Sequence, residues 1–449
     1  MKAAMNPAAV AAADVPTAVP DAVRDTANDA GLADSVSAGY RRYVLAALAV
    51  VGFMCAVDRV VISMFMEPIK KEFGLSDTEL GLLTGLAFSV MGGLASVPLA
   101  RWADRGSRKW IIGGSFVAWT LMTAASGAAA GFVQLFAARI GVGIGEAGCI
   151  PATHSMLGDY YPRHLRPRAL AVHSAGTYLG MLGGLLGGGL LVQGVGWRAG
   201  FIWLGMAGLV MAVVFHLTVR EPVRRELPTP QQQGSLWSQL GDAKAFWLLV
   251  MAFSTTALAG SSVMVWLPSY FERAFALPPV VIGGGLGLCI GVATAIGSVI
   301  GGQLGVKRAG GARSWGAGYS ARATVLVMPF FLGCFYAPWP LLAFALLFGA
   351  FAVAGTILGP VFSMLQDLVS PSARATALAV VALFGVVIGQ GLGPLLVGAI
   401  SDALQVKGAD ASGLRTAMTL VACVNFLTIV AFWQLKKRID LIGVGRPSA

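Results

Sequence analysis

Charge is what this chain has least of. Of its 449 residues, 12% are Asp, Glu, Lys or Arg, against about 25% in a soluble domain. The apolar and aromatic set makes up 56%, and mean hydropathy is +0.75. So little charge excludes a soluble enzyme, a disordered chain and a fibrous protein. Histidine is scarce as well, with four residues. The five cysteines (Cys55, Cys149, Cys289, Cys334 and Cys423) fall in apolar runs without close spacing. That pattern excludes a disulfide framework and predicts inert packing thiols with no metal site. No Gly-x-x-x-x-Gly-Lys-Ser/Thr loop is present, so ATP does not drive the protein directly. His-Glu-x-x-His, Gly-x-Ser-x-Gly and paired carboxylates on a polar face are missing too, and no enzyme activity is expected.

What the chain does have is long apolar runs. Twelve of membrane-spanning length are bounded by charge or turn residues. They cover approximately 43–66, 79–100, 110–130, 132–156, 168–193, 199–219, 244–271, 280–305, 322–338, 340–366, 375–400 and 414–435. The expected fold is an all-α membrane protein of twelve transmembrane helices. A net charge of +11 would suggest nucleic acid in a soluble protein. Here the positions of the bases decide otherwise. With a cytoplasmic N-terminus, 24 of the 32 Lys and Arg lie in inside segments. Six lie outside (Lys70, Lys71, Arg198, Arg273, Lys407 and Arg415), and Arg59 and Arg139 are within helices. That is the positive-inside pattern of an inner-membrane protein with both termini cytoplasmic, and no nucleic-acid partner is expected.

Residues 1–38 are rich in Ala, Pro and Asp without an apolar core. They read as a disordered cytoplasmic tail rather than a signal peptide. Six-helix bundles follow over 39–220 and 244–436, joined by a polar linker at 221–243 and closed by a tail at 437–449. The two bundles are related in sequence. Ser155–Val172 and Ser363–Val380 match at a constant offset of 208, with nine of eighteen positions identical. Each copy joins the fourth helix of its half to the fifth. Parallel repeats of this kind are a transporter architecture, with the substrate site between the pseudo-symmetric halves near the midplane.

After helix 2 comes Ala100-Arg-Trp-Ala-Asp104-Arg105-Gly-Ser-Arg108-Lys109. It resembles the helix 2–3 loop of the major facilitator superfamily, Gly-x-x-x-Asp-Arg-x-Gly-Arg-Arg, with Ala100 and Ser107 in place of two glycines. An Asp there can accept from helix-end N–H groups, and the Arg cluster can reach carboxylates or helix C-termini. Asp104, Arg105 and Arg108 are therefore candidates for a gating loop; the alternative is a plain topogenic basic loop. A finer resemblance covers most of the N-terminal half. Asp58-Arg59, Glu67-Pro68-Ile69-Lys70, Leu75-Ser76-Asp77 and Arg139-Ile-Gly-Val-Gly-Ile-Gly145-Glu146-Ala147 look like the spinster family of facilitators. Animal members export lysolipids or sphingoid phosphates. The resemblance implies alternating access, helices 1 and 4 lining a central cavity, and proton coupling at Asp58 and Glu146.

Deep in the helices stand four charges, Asp58, Arg59, Arg139 and Glu146, all in the N-terminal half. An ionised group there costs several kcal/mol unless paired or hydrated, so such residues are functional candidates. At 1.5 Å rise per residue, Asp58 lies about 13 Å from the outer end of helix 1, with Arg139 and Glu146 about 10 and 21 Å down helix 4. Arg139 and Glu146 share a face two turns apart. One neutral cluster is expected. Arg59 and Arg139 are either releasing partners for the acids or ligands for an anionic head group. A static staple between helices 1 and 4 is the plain alternative. His173, Tyr178, Trp266, Tyr270 and Gln390 are candidates for the cavity wall, and His154 and His173 for a proton relay or interhelical hydrogen bonds.

The expected function is a proton-coupled secondary transporter for an amphipathic, lysolipid-like molecule, working as a monomer among membrane lipids. No cofactor beyond the coupling proton is implied. The alternatives are a symporter of sugar acids or other organic anions, and a non-transporting receptor on the same scaffold.

Overall fold

The computed structural model describes residues 37–162, 164–222, 242–307, 314–370, 374–404 and 410–444. Twelve helices cross it. The first half holds α1 (Ala38–Phe73), α2 (Asp77–Gly81, a π turn at Leu82–Leu86, then Ala87–Arg105), α3 (Arg108–Gly127) and α4 (Phe132–Glu146 with Cys149–Tyr160). Helices α5 and α6 share Arg166–Thr218 and divide at Gly196, whose φ of +80° favours glycine. The second half holds α7 (Ala243–Phe275), α8 (Pro279–Gly287, a π turn at Leu288–Val292, then Ala293–Lys307) and α9 (Trp315–Phe335). It ends with α10 (Pro340–Gly355 with Leu358–Leu368), α11 (Arg374–Phe384, a π segment at Gly385–Leu392, then Gly393–Ala403) and α12 (Asp410–Ala422 with Asn425–Val444).

Among the described residues ten helices are long and apolar enough to span a membrane. The fused α5–α6 counts twice, and α3 is the twelfth. It is less apolar because Ser115, Thr120, Thr123 and Ser126 interrupt it, and all four are buried against protein. Three ends differ from expectation by seven residues or more. α1 runs to Phe73 rather than 66. α9 begins at Trp315 rather than near 322. α12 runs to Val444 rather than 435, because Leu435 and Ile439 stay in the core while Lys436 pairs with Asp440 and Arg438 with Asp242. The expected N-terminal tail and the centre of the linker lie outside the described residues.

The repeat seen in the sequence is visible as packing. α1 packs on α5, α2 on α4 and α3 on α6; in the second half α7 packs on α11, α8 on α10 and α9 on α12. The equivalent arginines of the repeated segments both turn back to a carbonyl of the preceding chain, though not to equivalent ones. The Arg166 Nε donates to the Tyr161 carbonyl at 3.1 Å, and the Arg374 Nε to the Gln366 carbonyl at 3.2 Å.

The halves meet along two related seams, α2 with α11 and α5 with α8. Backbone touches backbone there. A Cβ on Gly189 would lie 2.4 Å from the Pro279 carbonyl oxygen, and one on Gly85 2.4 Å from that of Gly391. One hydrophobic cluster draws on both halves, from Phe65 and Phe201 to Trp266 and Phe335. It occupies the end away from the termini. At the terminal end each half keeps its own cluster, one around Phe116 and Met156, the other around Phe246 and Phe432. The molecule is therefore closed at the far end and parted at the terminal end.

Gly187 and Gly189 sit two residues apart in α5 in opposite surroundings. A Cβ on Gly187 meets nothing within 4 Å. Gly189→Ala should destabilise the purified protein by about 1–3 kcal/mol through overpacking of the seam. Gly187→Ala should be neutral or gain up to about 1 kcal/mol. Thermal unfolding of the two variants side by side checks the difference in sign.

Candidate functional site

The four deep charges form two crossed pairs. Asp58 and Arg59 are neighbours on α1, and a helix turns adjacent side chains about 100° apart, so each reaches a different level of α4. Arg139 Nη1 lies 3.1 Å from Asp58 Oδ2, and the Thr123 hydroxyl on α3 donates to Asp58 Oδ1 at 2.5 Å. Arg59 Nε lies 2.7 Å from Glu146 Oε2. The Phe88 ring on α2 sits against both guanidiniums, with its centroid 5.5 Å from Arg59 Cζ and 5.8 Å from Arg139 Cζ, a cation–π arrangement.

The two pairs differ in access. Asp58 and Arg139 are both buried. The Arg59 side chain is 35% exposed while that of Glu146 is 1% exposed. Glu146 Oε1 has no hydrogen-bond partner among the described residues, and neither does Arg139 Nε. The Arg59–Glu146 pair is thus held through one carboxylate oxygen at the edge of an open space, where either member can exchange its partner.

That space is a cavity of about 260 Å³ between the halves. Arg59 and Phe88 contribute from the first half, with His154 and His173; Ser261, Met264 and Gln390 contribute from the second. Gln390 and His173, two of the expected wall residues, are among those lining it. His173 Nδ1 is 3.2 Å from the Leu48 carbonyl oxygen. A carbonyl only accepts, so Nδ1 carries the proton and a neutral ring leaves Nε2 free to accept. The His154 ring stands edge-on at 5.5 Å.

Three expected wall residues are elsewhere. Trp266 is fully buried and donates to the Pro394 carbonyl at 2.9 Å; the Tyr270 hydroxyl donates to the Phe335 carbonyl at 2.7 Å. Tyr178 bonds Ser298 across the α5–α8 seam at 2.9 Å. Each polar tip has found a partner between helices, which composition alone does not disclose.

At the far end lies a charge cluster that sequence reasoning did not single out. Arg273, near the end of α7, reaches Asp77 with two nitrogens at 2.7 and 2.8 Å and Glu67 at 2.7 Å. Lys70 and the Ser401 hydroxyl also bond the Asp77 carboxylate, which is wholly buried. Asp402, on α11, accepts from the backbone N–H of Asp77 at 3.0 Å and of Thr78 at 2.7 Å. An acid of the second half thereby caps the N-terminus of α2 in the first, where partial positive charge collects. Solvent reaches this cluster from outside through a recess of about 560 Å³ lined by Lys71 and Glu272 among others. The available signal was Arg273 itself, together with the acids of the Glu67-Pro68 and Ser76-Asp77 motifs.

At the terminal end Arg108 is buried between Asp159 and Glu221, with Nε 2.9 Å from Glu221. Glu221 also accepts from the Ser107 hydroxyl at 2.8 Å and the Lys109 N–H at 2.7 Å, capping α3. Burial by itself raises the Glu221 carboxylate. The Lys109 N–H, Arg108 and Ser107 outweigh it and hold the group below its ordinary value of 4.5. The side chains of Asp104 and Arg105 lie outside the described residues.

Two six-helix halves, closed at one end around a charged central cavity, are the architecture of a membrane transporter. The model of the Major Facilitator Superfamily matches residues 48–358, and the chain belongs to that superfamily. It is spinster-like within it. It is 26% identical to human protein spinster homolog 1, over 88% of this chain and 81% of the relative. A crystal structure of a bacterial homolog of the human lysosomal transporter Spinster, inward-facing and unoccupied, superposes with a TM-score of 0.82. That chain is 28% identical, and the match covers 92% of this chain and all of the other. An MFS-type efflux pump of Mycolicibacterium smegmatis is 32% identical over 89% of this chain and 94% of its own length.

Arg273→Ala leaves a buried carboxylate short of its main partner, which is worth about 3–5 kcal/mol where it occurs. The closed far end should lose population. A cysteine placed at Leu83, buried beneath the cluster, should react with an impermeant maleimide from the far side about tenfold faster or more in that variant. Unchanged labelling would show that the glycine seams hold the end shut unaided. Glu221 gives a pH test. A lowered carboxylate contributes stability above its unfolded value of 4.5, and that stability is lost as pH falls through the folded value. Melting temperature should drop below pH 4.5 in wild type and drop less in Glu221→Gln.

Proposed function

We propose that the protein is a proton-coupled secondary transporter of amphipathic anions, and that Arg59 and Glu146 are its coupling pair. The observation that carries this is the unequal exposure of that pair. One guanidinium faces a cavity whose wall also holds Phe88, Met264, small hydroxyls, two histidines and Gln390, and its acid partner is buried behind it. A substrate anion bonds Arg59 and leaves Glu146 without its cation in an apolar place. There the neutral acid is the stable form, and a proton joins. Anion and proton then bind together and cross together. Return of Arg59 to Glu146 expels both. Asp58, tied to Arg139 and Thr123, keeps its partners throughout and staples α1 to α3 and α4. With the basic loops facing the cytoplasm, the parted end is the cytoplasmic one. The apolar wall receives a lipid-like tail, and Gln390 and His173 supply hydrogen bonds to the head.

The relative named as an efflux pump favours a second arrangement. A cationic amphiphile bonds Glu146 directly and displaces its proton, which gives antiport.

Proton exchange on ligand addition separates the two. Purified protein in weak buffer should take up about one proton per bound lysophosphatidate or sphingoid phosphate, by linkage. Release of a proton on adding a cationic amphiphile, with no response to anions, favours antiport. Glu146→Gln should abolish the exchange. Asp58→Asn should retain it while lowering the melting temperature. An undiminished response in Glu146→Gln would make the Arg59–Glu146 pair a static staple and end this reading. A response to glucuronate alone would replace lipid-like anions with sugar acids.

A further inference from the structure

What a ligand head can bond to in the cavity depends on what the wall has left to offer. Thr84 and Ser261 stand in that wall, but each has given its only hydroxyl proton to a helix carbonyl. Thr84 donates to the Leu80 carbonyl at 2.9 Å and Ser261 to that of Gly389 at 2.8 Å. Toward a ligand these oxygens can only accept. His173 offers the same. Its Nδ1–H is held by the Leu48 carbonyl at 3.2 Å, so Nε2 of the neutral ring is an acceptor. The wall keeps the ring neutral. Among the described residues that line it there is no carboxylate to balance an imidazolium, and Arg59 already stands there. Glu146 lies behind the wall, paired with Arg59.

The ring is also fixed in place. Gly52 follows Leu48 by one turn of α1, and a Cβ on it would fall 2.7 Å from His173 Cε1. The imidazole of α5 therefore lies in a notch on α1 that glycine leaves open. The carbonyl and the notch together set its orientation.

An anion alone satisfies Arg59 and leaves these acceptors only water to bond. Ser89, which follows Phe88 on α2, adds to the demand. Its hydroxyl is buried in the wall and has no hydrogen-bond partner among the described residues. A ligand that carries a hydroxyl beside its anionic group meets both needs. An ammonium also donates, but it would join Arg59 in a wall without an acid to offset it.

We infer that His173 is a specificity-determining residue of this cavity, accepting through Nε2 from a hydroxyl near the anionic group of the ligand, so that the preferred amphiphile is a hydroxylated anion. This rests on the proposed pairing of Arg59 with the anion and adds a second feature that the ligand must carry. An analogue without the hydroxyl is rejected because it displaces water from Nε2 and leaves a buried acceptor unpaired.

The test uses the full-length protein in nanodiscs and two probes of equal chain and charge: lauroyl lysophosphatidate, and the analogue in which hydrogen replaces its glycerol hydroxyl. Calorimetry reads the affinities. Lysophosphatidate should bind about tenfold more tightly or better. His173→Phe should bring the ratio to about one, because the acceptor is gone. His173→Gln, whose side-chain carbonyl can accept, should keep part of the preference. Melting temperatures show whether the variants fold. If His173→Phe does not, Gly52→Ala takes its place: the added methyl pushes the ring from its notch and should lower the ratio with the imidazole still present. Equal affinities in wild type, or a ratio that survives His173→Phe, would overturn the inference and leave the proton-coupled anion reading standing. Binding of neither probe would overturn both. Proton uptake, read separately in weak buffer, should accompany both probes, since it depends on Glu146 and not on the hydroxyl. Its absence with the tenfold preference intact would support the role of His173 and end the coupling reading alone.

Discussion

A charge removed from water must keep a partner, and most of this structure's working parts are answers to that constraint. Four ionised side chains lie in the middle of helices α1 and α4, where an unpaired one costs several kcal/mol. They are satisfied by crossing: Asp58 reaches Arg139 and Arg59 reaches Glu146. The crossing follows from helix geometry, since neighbours on one helix cannot both point at one residue of another. It also produces two pairs of unlike character. Thr123 closes the coordination of Asp58. Among the described residues Glu146 keeps one oxygen unsatisfied, and its cation stands at the cavity edge. A buried pair broken by withdrawal of one partner is strongly destabilised, so the second pair can open only if something replaces the partner that leaves.

The same constraint acts on backbone groups. Helix N-termini present unpaired N–H groups, and two of them here are closed by acids from other helices. Glu221 at the end of α6 caps α3 within one half, while Asp402 on α11 caps α2 across the halves. The first cap can persist through any rigid movement of the halves; the second must break when the far end opens. Because the far-end cluster borders a solvent recess, water can take over Asp402, Asp77 and Arg273 as the halves part. Such rehydration would lower the cost of parting the halves toward the few kcal/mol over which a ligand can shift a population. The glycine seams fit this scheme, since backbones in direct contact separate without unthreading side chains.

Much of this was legible in the chain. Twelve apolar runs, the 208-residue repeat and the four mid-helix charges gave the fold class and the centre of the site. Depth arithmetic placed Asp58 between Arg139 and Glu146, as the crossed pairs require. Which arginine serves which acid was not legible, because it depends on the rotation of α1 about its own axis. Trp266 and Tyr270 looked like cavity residues on residue type alone, and their hydrogen bonds to Pro394 and Phe335 belong to helix contacts that no local pattern encodes. Arg273 was counted among loop bases for a similar reason. At a helix end, a base that sets topology and a base that holds two halves together read the same until the partner acids, over 190 positions away in the chain, are brought beside it.

The duplication makes the placement of charge informative. At the repeat offset, Arg139 and Glu146 correspond to Leu347 and Ala354. Leu347 is fully buried in the shared core, and Ala354 packs against it. The second half therefore reaches the same helix arrangement with apolar residues where the first half has ions. Packing of that kind is generally as stabilising as a buried ion pair or more so. At the positions of Arg139 and Glu146, then, the second half shows that apolar residues suffice for the helix arrangement, and stability alone gives no reason to prefer ions there. What an ion pair offers and Leu347 cannot is exchange. A guanidinium can leave one carboxylate for another anion, and the carboxylate left behind can take a proton.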